Sequence, residues 1–349
     1  MALICIFMKR ITEKLHKKIL SLVNETYPIG LFHGEMGLCV YFYHLYRIGR
    51  DESHRKAADY LLDDTLNKLS KESSISVEDG LAGVALGVIH LIRSGFVEGD
   101  ANELLKDIDD ALFKHLVFPS TDSSLREVDL LHLLYYFHVR LSEQTDVDEE
   151  YVFQGLIWHT FNDLMDRLNA DFLREHFGFS IYSYHLPVLL FVFGKLLKWD
   201  FCREKVYKAL EQLSPMIWSH YPVFRSNRLF LLCGLLSLFP FECHPYWKDY
   251  ADLLYRGIEL DVMVNSEFKN KQIFISNGLS MIYILLSYLN EHYPDYKIDY
   301  DPTLFYDRIM GSEAWTALEK PYFFEIHHGL LNGFPGANLV LSHIQKQCI

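Results

Sequence analysis

No CxxC pair occurs in this chain, and its six cysteines, Cys5, Cys39, Cys202, Cys233, Cys243 and Cys348, are widely scattered. That pattern excludes a zinc ribbon and the disulfide framework of a small secreted domain, and it fits reduced thiols in a cytoplasm. Basic blocks are equally scarce, the longest being the short HKK at residues 16 to 18. With 46 acidic against 33 basic residues and a formal charge of −13, no nucleic-acid surface is expected. Long apolar runs are missing too: HLPVLLFVFGKLL, from His185, and RLFLLCGLLSLFPF, from Arg228, are interrupted by charge or proline. Both stop short of the roughly 20 residues that a membrane span needs. The N-terminal ALICIFM has no basic residue before it and no small-residue cleavage pattern after it, so it does not read as an export signal. Strand patterns are rare, and no HExxH motif occurs.

What remains is helix. At 349 residues and 50% hydrophobic, the chain can fill a sizeable core. Segment 51–69 puts Ala57, Ala58, Leu61, Leu62 and Leu66 on one expected helical face, and segment 100–116 does the same with Leu104, Leu105, Ile108, Leu112 and Leu116. More uniformly apolar segments lie between these two-faced helices. Several open on paired glycines three residues apart, in HGEMG at 33–37, DGLAG at 79–83 and NGFPG at 332–336.

Anchored at Gly34, Gly80, Leu133, His185, Arg228, Gly278 and Gly333, the apolar segments recur at spacings of 46, 53, 52, 43, 50 and 55 residues. A period of that size predicts stacked or closed helical hairpins, each too small to bury its own apolar face. The expected fold is all-α: one α/α toroid over residues 1–349, built of about seven hairpins with seven inner and seven outer helices, a six-hairpin barrel being the other count. The glycines allow close backbone approach at the helix entrances or serve helix packing. Helix N-termini gathered at one end would offer N–H groups to polar or anionic partners.

The segments GLFHGEMGLCVYF, DGLAGVALGVIHL, VDLLHLLYYF, NGLSMIYILLSYL and GLLNGFPGANLVL, in this order and spacing, resemble the lanthionine synthetase C-like family, the zinc-dependent cyclases that close thioether rings in lanthipeptides. The resemblance implies a peptide substrate and a Zn²⁺ ion in an inner cavity, held by a cysteine of the fifth repeat and a Cys-His pair of the sixth. Such an ion would hold the attacking peptide thiol as a thiolate. The sixth-repeat positions fall on Ser276 and Asn277, and the fifth on or beside Ser226. Neutral Ser and Asn oxygens are poor zinc ligands, so no metal and no cofactor are expected there.

A histidine of the fourth repeat and an aspartate of the third complete the implied proton-handling set. With Pro187 as anchor the histidine position falls on Tyr184; Tyr182 and Ser183 are alternative matches, and a shift of one residue places His185 there. Asp129 stands at the aspartate position, where it also suits an N-cap. His33, Tyr184, Ser226, Ser276, Asn277, His327 and His328 are the expected cavity residues, with Asp129 and His185 the catalytic candidates. His33 also suits a helix-entry role, and Cys39 and Cys233 read as small core residues.

If the first and last repeats are neighbours, His33 and Glu35 could meet Glu325, His327 and His328 in a relocated metal site. A carbohydrate-active α/α toroid is a further reading, with Glu78, Asp79, Glu325 and His327 as its candidates. The favoured expectation is a cytoplasmic, zinc-free peptide-binding or scaffolding pseudoenzyme of ribosomal peptide modification. Its rivals are a thioether-forming cyclase with a relocated or absent metal, and the carbohydrate enzyme.

Overall fold

The apolar and two-faced segments become alternating helices in the computed structural model, which describes residues 2–23, 27–72, 74–118, 125–241 and 245–348, with side chains from Ile11 to Gln347. Cys5, Cys243 and Cys348 fall outside the described side chains. The odd-numbered helices are α1 (Ala2–Leu22), α3 (Glu52–Lys68), α5 (Ala101–Val117), α7 (Val147–Arg167), α9 (Asp200–Ser219), α11 (Pro245–Arg256) and α13 (Pro302–Met310). Between them run α2 (Glu35–Gly49), α4 (Leu81–Arg93), α6 (Glu127–Leu141), α8 (Leu186–Leu196), α10 (Arg225–Leu236), α12 (Leu279–His292) and α14 (Phe334–Cys348). Among the described residues there is no strand, and no helix is long and apolar enough to cross a membrane.

Burial separates the two sets. Nine of the 13 residues of α4 are buried, against three of the 17 of α3, so α4 is enclosed over most of its surface while α3 covers one side only. The stripe that α3 buries is narrower than the sequence pattern implies. It consists of Ala58, Leu61 and Thr65, while Leu66 turns outward at 45% exposure. Positions 58, 61 and 65 follow the helical repeat, and residue 66 is rotated about 100° beyond 65. Leu104 is exposed for the same reason, and α5 buries Leu105, Ile108, Leu112 and Leu116.

The chain's contacts form two compact units. The first comprises Met1–Leu112, Asn270–Met281 and Asp301–Ile349; the second comprises Phe113–Lys269 and Ile282–Tyr300. In the first, α14 packs on α2 and α2 on α4, while α3 covers α2 and both α1 and α13 lie on α14. The last repeat is thus next to the first, as the toroid expectation requires. A polar chain crosses that seam: Thr12 Oγ1 donates to Asn338 Oδ1 at 3.1 Å, and Asn338 Nδ2 donates to Tyr41 Oη at 2.7 Å. Asn338 and Tyr41 are both fully buried, and each has its partner, so the network fixes register without leaving these groups desolvated and unpaired. In the second unit, α6 packs on α8 and α8 on α10, with α7, α9 and α11 covering them in turn.

The glycine entrances have one recurring geometry. A Cβ on Gly37 would lie 2.2 Å from Leu31 O, on Gly83 2.1 Å from Val77 O, and on Gly336 2.0 Å from Leu330 O, each a carbonyl six residues back. None of these glycines has positive φ, so close approach rather than an unusual dihedral requires them. The same fold-back satisfies the helix starts: Glu35 N donates to Pro28 O at 2.9 Å, Leu81 N to Ser74 O at 2.9 Å, Leu279 N to Gln272 O at 3.1 Å and Phe334 N to His327 O at 3.0 Å. The N–H groups expected to await an anion are therefore consumed in part by their own loops.

Three apolar helices, α6, α8 and α10, have no entrance glycine, and carboxylates hold the entrances of two of them. At α6, Asp129 Oδ2 accepts from the Arg126 backbone N at 3.1 Å. At α10, Glu267 accepts from the backbone N of Arg225 at 2.7 Å and of Ser226 at 3.0 Å. Helices α6 and α10 accordingly begin well before the sequence anchors Leu133 and Arg228.

Candidate functional site

In the first unit the helix entrances are bound to one another edge to edge. Gly30 N donates to Asp79 O at 3.0 Å and Phe32 N to Glu78 O at 2.9 Å; Leu331 N donates to Phe32 O at 3.4 Å, and Ser276 N to Leu331 O at 2.8 Å. These bonds tie the loops before α4, α2, α14 and α12 into one continuous rim. Glycine permits it, since a Cβ on Gly30 would meet the Asp79 carbonyl carbon at 2.3 Å.

That rim gathers several of the expected residues. His33 Nδ1 lies 3.0 Å from Asp79 Oδ1, and Tyr27 Oη is hydrogen-bonded to His328 Nδ1. His328 is held below the ordinary histidine pKa by burial first and by His33 second, with Asp79 opposing. His327 is committed differently: its Nδ1 meets Asn332 O at 2.8 Å and its ring stacks on Phe274 with centroids 4.5 Å apart. Ser276 is buried; Asn277 is partly so, and its Oδ1 is shut off from solvent with no hydrogen-bond partner. Glu35 turns away from the rim toward Lys68 and Thr65 on α3, fully buried. Glu325 is exposed.

The second unit holds the other expected residues. Asp129 is not the N-cap of α6, which is Arg126; as the third helical residue it accepts from the Arg126 backbone N and pairs with Arg126 Nη2 at 2.7 Å. His185 immediately precedes the first helical residue of α8, its ring stacked on Phe172 at 4.5 Å. Burial, followed by His176, pushes its pKa down to about 4, which keeps the imidazole neutral. Tyr184 is fully buried, its hydroxyl has no hydrogen-bond partner, and desolvation raises its pKa. Ser226 is fully buried and donates from Oγ to Glu267 Oε2 at 2.8 Å. The neighbouring Asn227 donates to Glu175 at 2.8 Å. Sequence reasoning missed Glu267 and Glu175, which lie 41 and 52 residues from their partners, the first ending a short π-helical turn, Met263–Glu267, and the second in a loop, neither marked by a motif.

The donor set does not fit the Zn²⁺ ion that the resemblance implies. Ser226 spends its hydroxyl proton on Glu267, and Ser276 and Asn277 offer neutral oxygens where thiolate and imidazole are needed. Cys39, Cys202 and Cys233 are free and buried, and burial raises the thiol pKa of each, that of Cys202 to about 12. None is poised as a thiolate.

Alternating enclosed and covering helices, fold-back glycine entrances and a last repeat packed on the first define the class by fold, an all-α helical toroid. Among solved structures the chain is similar to one described as nisin cyclase, with a TM-score of 0.59 and 15% identity, over 97% of this chain and 94% of that one. No protein-family model matches the chain, and no curated protein matches it.

Proposed function

We propose that this protein is a peptide-binding or scaffolding member of the α/α-toroid class that works in ribosomal peptide modification without zinc-activated thioether closure. The observation that carries the proposal is the contrast between a preserved frame and replaced chemistry. The helix entrances are bound into the rim that the fold needs, while Ser226 is tied to Glu267 at 2.8 Å where a metal thiolate is implied. The likeness to nisin cyclase in fold supports a peptide as the partner. Three free, buried cysteines support a reducing, cytoplasmic setting.

The test uses the purified full chain and a panel of linear peptides containing cysteine together with dehydroalanine or dehydrobutyrine. Binding is followed by fluorescence anisotropy, and free thiol by a colorimetric reagent with mass spectrometry alongside. Saturable binding with no loss of thiol is expected. Thiol loss at constant mass would instead show ring closure, and binding of an oligosaccharide but no peptide would remove the peptide reading altogether. The cyclase alternative has one observation in its favour, the hydrogen-bonded pair His33 and Asp79, since a carboxylate that orients an imidazole is a common way to build a general base.

A further inference from the structure

We propose that His33, Glu78 and Asp79 form a binding site for one divalent transition-metal ion, at a place in the fold different from the fifth and sixth repeats where the family resemblance implies zinc. One ligand atom from each of the three side chains falls within 4.8 Å of the other two. His33 Nδ1 and Asp79 Oδ1 are already 3.0 Å apart, close to the donor–donor edge of roughly 3 Å around an ion with bonds of about 2.0–2.2 Å. One imidazole and two carboxylates make a mixed nitrogen and oxygen set, suited to Zn²⁺ or Mn²⁺ rather than to Ca²⁺.

The site is built by the backbone as well as by its side chains. His33 ends the loop before α2, and Glu78 and Asp79 end the loop before α4. These loops are pinned together by the bonds from Gly30 N to Asp79 O at 3.0 Å and from Phe32 N to Glu78 O at 2.9 Å. The ligands therefore need no loop closure to meet, which lowers the entropy cost of binding an ion. Charge agrees: two carboxylates face a single imidazole. The positive ends of α2 and α4, which would oppose a cation, are blunted because Glu35 N and Leu81 N donate to the carbonyls of Pro28 and Ser74.

The proposal is independent of the peptide reading, and its test needs no activity. The full chain is stripped with a chelator and titrated with Zn²⁺ or Mn²⁺ by calorimetry, with elemental analysis after gel filtration and thermal melts with and without metal. One equivalent of one of these ions is expected, with a raised melting midpoint. His33→Ala and Asp79→Asn should each weaken uptake by at least about tenfold and abolish the metal-dependent rise, while metal-free melts stay near wild type. His327→Ala, outside the triad, should bind as the wild type does. Uptake of neither ion, or uptake unchanged in both His33→Ala and Asp79→Asn, would overturn the assignment.

Discussion

Replacing Glu35 with glutamine should stabilise the protein increasingly as pH rises from 5 to 8. The Glu35 side chain is fully enclosed at the first residue of α2, facing Lys68, which is 11% exposed, and Thr65. Burial raises its pKa from 4.5 to about 7; the hydrogen bond and charge of Lys68 pull the other way, and Asp64 adds to the rise. Burial also works against charge on Lys68, but hydrogen bonds to Asp64 and Glu35 outweigh it, and its pKa goes up. Glu35 is the partner that gives up its charge, because its carboxylate has no solvent at all, whereas Lys68 keeps Asp64 at 2.8 Å whatever Glu35 does. The folded state holds the Glu35 proton more tightly than the unfolded state. Its contribution to stability is therefore complete below about pH 4.5 and is lost as pH climbs through about 7. At 1.36 kcal/mol per pKa unit that is about 3 kcal/mol as an upper bound. Glutamine does not titrate, so chemical denaturation of wild type and Glu35→Gln at pH 5, 6, 7 and 8 should show the difference growing in favour of the variant by about 2–3 kcal/mol. Histidines that titrate over this range cancel in the comparison. A flat difference, or one that moves against the variant, would mean that Lys68 keeps the carboxylate ionised, and the reasoning would fail.

Gly83→Ala should cost about 1–3 kcal/mol in thermal or denaturant unfolding, because its Cβ would lie 2.1 Å from Val77 O and 2.7 Å from Leu31 N. Gly155→Ala, inside α7 with nothing within 4 Å, should gain about 0.5–1 kcal/mol, and equal effects at the two positions would sink the close-approach account. Glu267→Ala removes the cap of α10 and should cost about 1–2 kcal/mol, with Ser226→Ala costing less; the reverse order in denaturation curves would refute the cap. Native protein at pH 8 should resist alkylation at Cys39, Cys202 and Cys233, as read by peptide mass spectrometry, and rapid labelling of any of the three would contradict its burial and raised pKa.

Helix type and repeat order were legible because burial imposes a period on sequence: Gly34, Gly80, His185, Gly278 and Gly333 each directly precede an enclosed helix. The entrances of α6 and α10 were misplaced because α6 begins at Glu127, two residues before Asp129, and because the cap of α10 comes from Glu267, remote in sequence from that helix. The neighbourhood of His33 and the last repeat followed from expecting a closed ring, but its partners did not. Glu325 and His327 look equivalent to His328 in the sequence, yet Glu325 is exposed, His327 stacks on Phe274, and His328 meets Tyr27. Side-chain direction at a helix entrance depends on which loop lies opposite, and no local pattern encodes that.

The surroundings of position 226 favour a neutral hydroxyl over a thiolate. A thiolate there would need a cation or hydrogen-bond donors to stabilise its charge. Ser226 instead faces the carboxylate of Glu267, which accepts its hydroxyl at 2.8 Å and two backbone N–H groups besides. Cysteine at 226 would lose this short donor geometry, and ionising it would set two negative charges against each other in a buried place. Glu267 and a metal thiolate are thus alternatives at one helix entrance. The chain has the carboxylate, which neutralises the orphan N–H groups of α10 without a metal. A thiolate at this entrance would therefore take removal of Glu267 as well as a cysteine at 226.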